Sequence, residues 1–121
     1  MHALAHDRRA LEYMYSHPES LLNSIMELMR YIAMPGANRD PRVFDEPERL
    51  DLTCNQDANV TFAPGTHHCI GHLFAKMQLT EFFGEFLQRY RSFDVLDEEL
   101  QFAGALTFRG PLALHLRLQP R

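Results

Sequence analysis

Between Phe62 and Gly71 the chain sets two glycines, two histidines and a cysteine directly in front of a long apolar stretch. The run reads Phe62-Ala63-Pro64-Gly65-Thr66-His67-His68-Cys69-Ile70-Gly71. A helix is expected over residues 70–91, so Cys69 falls at its mouth. Backbone N–H groups at a helix start are unpaired and carry partial positive charge. Such a place favours the thiolate form of a cysteine, which binds metals and attacks electrophiles. Gly65 and Gly71 let the backbone close around the sulfur. Cys69 is therefore a candidate soft, anionic ligand.

The helix after it is apolar on two sides in turn. Ile70, Leu73, Phe74 and Met77 mark one face, and Leu79, Phe82, Phe83, Phe86, Leu87 and Tyr90 mark nearly the opposite one. A helix patterned this way sits between layers. Its second half reads as core, and its first half suits a flat apolar ligand.

Upstream, residues 3–15 suit a helix with Leu4, Leu11, Met14 and Tyr15 as its apolar positions. Ser16 and Glu19 have the spacing of a capping box, with Pro18 in a first turn. A second helix runs to about Ile32, with Leu21, Leu22, Ile25, Met29 and Ile32 as one stripe. Glu27 and Arg30 lie three apart on it, away from that stripe, where they read as an exposed ion pair. Prolines, glycines and asparagines then make residues 34–61 a long loop. Near the end, Leu106–Arg109 and Leu112–Leu118 alternate about a Gly110-Pro111 turn, which predicts a β-ribbon over residues 105–119. The fold class is mainly α, in a single domain of 121 residues with a modest core.

Composition narrows the function classes. A formal net charge of −4 offers no basic footprint for nucleic acid. No apolar run is long enough to cross a membrane. Polar residues from His2 to Arg9 interrupt any leader-like stretch, so the expectation is a cytoplasmic chain with Cys54 and Cys69 reduced.

The pattern Phe62-x-x-Gly65-x-His67-x-Cys69-x-Gly71, continued by Ala75, resembles the haem-binding loop of the cytochrome P-450 superfamily in its soluble bacterial style. Its five fixed positions arise by chance on the order of once per million windows. Glu27-Leu28-Met29-Arg30 resembles the E-x-x-R motif of the same family. Pro47-Glu48-Arg49-Leu50 resembles its meander, whose arginine completes a structural charge network with that motif. In the family phenylalanine is usual at the position of Leu50, and arginine is frequent at that of Cys54.

The resemblance implies a haem-thiolate monooxygenase. Cys69 is then the axial ligand to the iron of haem b, and His67 donates to a haem propionate. Phe62, Gly65 and Gly71 shape the loop, while Glu27, Arg30 and Arg49 are structural. It also implies a small organic substrate, dioxygen and a ferredoxin- or flavodoxin-type electron donor. Lys76, His68 and His72 lie where such a donor docks in the family.

Only the C-terminal part of that fold is matched. The distal helix with its acid–threonine pair has no counterpart, and several dozen residues of β structure are missing between the E-x-x-R helix and the meander. A truncated, non-catalytic haem-binding or degenerate remnant is thus the alternative. No catalytic residue for oxygen activation is identified. Two other readings stand on the residues alone: a zinc site from Cys54, His68, Cys69 and His72, and a hydrolase with a cysteine nucleophile.

Overall fold

The computed structural model of the chain describes residues 1–33, 35–102 and 110–121. Five helices and a two-stranded antiparallel sheet make up its regular structure among those residues. In chain order they are α1 (His2–His6), α2 (Arg8–Ser16), α3 (Leu21–Ile32), α4 (Pro35–Asn38), α5 (His72–Arg89), β1 (Tyr90–Val95) and β2 (Leu116–Pro120). Residues 39–61 pass between α4 and the cysteine loop as a succession of turns.

The helix expected over residues 3–15 is broken at Asp7. Its carboxylate accepts from the Ala10 N–H at 3.1 Å and so caps α2. An aspartate offers the backbone this local bond in place of helix continuation. The capping box at Ser16 is not made. The Ser16 hydroxyl donates back to the Glu12 carbonyl at 2.8 Å, and His17, restricted by Pro18, turns the chain out of the helix. Pro18 then opens a short 3-10 turn, Pro18–Ser20, that leads into α3.

The core gathers Leu4, Ala10, Leu11 and Met14 from the first two helices, Ile25 and Leu28 from α3, Leu52 from the meander, Phe83, Phe86 and Leu87 from α5, and Phe93 from β1. Phe86 is its aromatic hub, with ring centroids 5.6 Å from Phe93 and 5.1 Å from Tyr90. Helices α3 and α5 pack together. The α3 stripe is only partly inside: Ile25 is buried, whereas Leu22 and Ile32 are exposed. A second side of α3 is covered by the meander, which meets Glu27 and Arg30.

Helix α5 ends at Arg89, and the chain continues at once as β1. That strand pairs with β2 in the register Phe93↔Leu118, Asp94↔Arg117 and Val95↔Leu116. The expected ribbon partner of residues 112–118, the segment 106–109, lies outside the described residues. The described strand at this end is β2, Leu116–Pro120, and its partner is β1, whose first two residues, Tyr90 and Arg91, fall in the helix expected over residues 70–91. The Tyr15 hydroxyl donates to the Tyr90 carbonyl at 2.6 Å and ties this sheet to α2.

Candidate functional site

Glu27 and Arg30 are not an exposed pair. They are 0% and 2% exposed and meet twice, Arg30 Nε to Oε2 at 2.7 Å and Nη2 to Oε1 at 2.8 Å. A buried charge needs every donor and acceptor satisfied, and the meander supplies the partners. The Arg30 guanidinium also donates to the carbonyls of Asn38 (2.8 Å), Pro47 (3.0 Å) and Arg49 (3.0 Å). The Glu27 carboxylate accepts from the Asp51 N–H at 3.0 Å, the Cys54 thiol at 3.0 Å and the Gln56 amide at 3.1 Å. Phe44 lies under the guanidinium, 5.2 Å from ring centroid to Cζ.

Burial alone would raise the Glu27 carboxyl, but the bonds from Arg30, Cys54, Asp51 and Gln56 outweigh it and hold the group below its ordinary value. Burial and the neighbouring carboxylate push the Cys54 thiol up to about 12.

Arg49 joins this network differently from the way the motif implies. Only its carbonyl takes part; its guanidinium pairs with Glu46 at 2.9 Å on the surface. The meander side chains that meet Glu27 are instead Gln56 and Cys54, the latter at the position where arginine is frequent in the family.

Asn38, which sequence reasoning missed, carries the network to the cysteine loop. It is fully buried. Its amide donates to Ala33 O at 3.1 Å and Thr61 Oγ1 at 2.9 Å, and its Oδ1 accepts from the Val60 N–H at 2.9 Å. Asn59 does similar service, donating to Met26 O and accepting from Thr61. The only sequence signal for either is an asparagine in a stretch without periodicity, the residue type that bonds locally to backbone.

From Thr61 the chain enters the loop. Phe62 O accepts from the Cys69 N–H at 2.8 Å and closes it at the base. Gly65 opens the 3-10 turn Gly65–His67 at φ +71°, where a side chain would be strained. A Cβ on Gly71 would lie 3.9 Å from Cys69 Sγ and would cover one side of the thiol. His67 ends the turn and is exposed, as is Cys69. Lys76 stands 5.6 Å from the Phe62 ring centroid, and the His72 ring lies 6.0 Å from it, so the expected basic groups do gather here.

The helix expected from residue 70 begins at His72. Beside Cys69, Ile70 in the turn before α5 is fully exposed, and Leu73, Phe74 and Met77 on the first half of α5 are 69%, 59% and 55% exposed. A soft thiol at the edge of an apolar face is a donor set that fits a flat, apolar, metal-centred group such as haem. It does not extend to zinc with four ligands. Cys54 is held by Glu27, and no group of three or more His, Cys, Asp or Glu comes together for a metal ion among the described residues.

Comparison with known proteins agrees with this geometry. The family model "Cytochrome P450" (here cytochrome P-450) matches residues 30–104, more than half of the chain. Luteothin monooxygenase of Streptomyces thioluteus is 39% identical over 88 residues, 67% of this chain and 20% of that protein. The biotin biosynthesis cytochrome P-450 of Bacillus subtilis is 30% identical over 79 residues, 65% of this chain and 20% of that protein. The chain thus spans about a fifth of these relatives. Among solved structures, the cytochrome P-450 of the Bacillus subtilis 168 bacillaene polyketide synthase superposes on 97% of this chain and 38% of its own, with a TM-score of 0.90 at 21% identity. With a shared fold, a family-wide sequence match and a cysteine loop placed before an open apolar face, the chain belongs to the cytochrome P-450 family.

Proposed function

We propose that the chain carries the proximal side of a haem-thiolate site belonging to a monooxygenase. The observation that supports this most is the exposed Cys69 thiol at the start of the exposed apolar half of α5. Cys69 would bind the iron of haem b through Sγ, and His67 would donate to a propionate. Phe62 closes the loop through its carbonyl, Gly65 makes its turn, and Gly71 leaves the thiol open. Glu27, Arg30 and the Arg49 carbonyl hold the meander beneath. Haem on a thiolate supplies the activation of dioxygen for transfer of one oxygen atom to a small organic substrate. A ferredoxin- or flavodoxin-type protein is the proposed electron donor, docking near Lys76, and the cytoplasm is the proposed location.

A second reading, a non-catalytic haem-binding or degenerate remnant, is favoured by the exposure of Ile70, Leu73, Phe74 and Met77, which no described residue covers. The deciding experiment titrates the purified chain with haem, reduces it and adds carbon monoxide, with Cys69→Ser alongside. A strongly red-shifted Soret band lost in the serine variant is expected. Haem uptake indifferent to Cys69, or none, would overturn the thiolate assignment. Turnover with an electron donor then separates enzyme from remnant.

A further inference from the structure

His68 and His72 stand on either side of Cys69, and both rings are fixed in the same manner. His68 Nδ1 faces the Ala63 carbonyl at 2.8 Å, and His72 Nδ1 faces the Cys69 carbonyl at 2.9 Å. A carbonyl oxygen only accepts, so each Nδ1 carries the proton and each neutral ring has its lone pair on Nε2. A carbonyl or carboxylate on the far ring nitrogen is also how metal-binding histidines are oriented. The two rings are in contact, with centroids 4.2 Å apart and planes at 74°. Two imidazole nitrogens on one zinc ion, each at about 2.0–2.1 Å, lie about 3.3 Å apart, a span that only neighbouring rings can supply.

We propose that His68 and His72 form a two-histidine clip for a divalent transition-metal ion of the zinc type, with water completing its coordination. The clip differs from the four-ligand zinc site considered from sequence, because it uses neither thiol. Its effect is mechanical. It fastens the end of the Gly65–His67 turn to the first turn of α5 and holds the Cys69 backbone between two anchored points.

The test titrates the reduced, haem-free chain with zinc chloride, followed by calorimetry and by the ring-proton resonances of its histidines. The expected result is one equivalent bound, with selective shifts of the His68 and His72 rings. Binding should weaken by roughly tenfold or more in both His68→Ala and His72→Ala. Cys69→Ser should keep it. So should a His2→Ala/His6→Ala variant, which removes the other contacting histidine pair, with centroids 4.4 Å apart. The proposal is overturned if the two rings do not shift in the unmodified chain, if either single alanine variant binds zinc unchanged, or if Cys69→Ser abolishes binding.

Discussion

At the scale of single residues, the two cysteines are opposites. Cys69 is exposed in a loop whose backbone bonds leave its sulfur open, whereas Cys54 is a donor inside a charge network. Iodoacetamide at about pH 8 should therefore modify Cys69 and leave Cys54 intact until the chain is unfolded, which peptide mass mapping reads directly. The same thiol gives a signed pH dependence. An unfolded thiol ionises near about 8.5, while the folded Cys54 is pushed up to about 12. The folded state keeps its proton longer, so its contribution is complete below the first value and is lost as pH rises toward the second. Cys54→Ala should flatten that alkaline slope in denaturant titrations. Glu27 runs the other way. Its folded carboxyl is held low, so its stabilisation is complete above the unfolded carboxyl range, near about 4.3, and is lost as pH falls through it. Arg30→Leu strands the buried carboxylate and should cost about 3–5 kcal/mol at neutral pH, measured by urea unfolding.

At the scale of elements, α5 holds together two surfaces that follow different rules. Its C-terminal half turns Phe83, Phe86 and Leu87 into the core but leaves Phe82 half exposed, and Gly84 within it faces Leu21 of α3. A Cβ there would lie 3.9 Å from Leu21 Cδ2, an ordinary contact. A mid-helix glycine costs up to about 1 kcal/mol against alanine. Gly84→Ala should therefore raise the melting temperature, and a lowered one would mean that α3 and α5 lie closer than described. The swing of apolar residues along α5 was visible because helical spacing is local, and Phe83, Phe86 and Leu87 are indeed buried. The cysteine loop was visible because its residues are contiguous. Strand β1 was not, because no proline or glycine punctuates the chain from Glu85 to Val95 and its partner begins at Leu116, far along the chain. The i,i+3 spacing of Glu27 and Arg30 was plain, but their burial depends on a meander twenty residues away with no periodicity to read. The same gap hid Asn38 and the difference between the carbonyl of Arg49 and its side chain.

At the scale of the whole molecule, binding and stability are linked. A ligand that binds only the folded chain stabilises it by about 2.7 kcal/mol at a hundredfold excess over its Kd. If haem seats on the Cys69 face, the melting temperature of the chain should climb with haem concentration, and the climb should shrink in Cys69→Ser. A thermal scan insensitive to haem would count against the proximal-site reading. The charge network has a separate consequence for how this chain can vary. Besides the side chains of Cys54 and Gln56, the contacts of Glu27 and Arg30 with the meander are main-chain atoms: the carbonyls of Asn38, Pro47 and Arg49 and the N–H of Asp51. Those atoms are the same whatever side chain sits on them. Substitutions at positions 47, 49 and 51 should therefore be broadly tolerated in a library screened for folding, while Glu27, Arg30 and the buried Asn38 should accept almost nothing else. A loop without regular structure can in this way keep one shape through wide drift in its own sequence, because its shape is written on the helix it leans against.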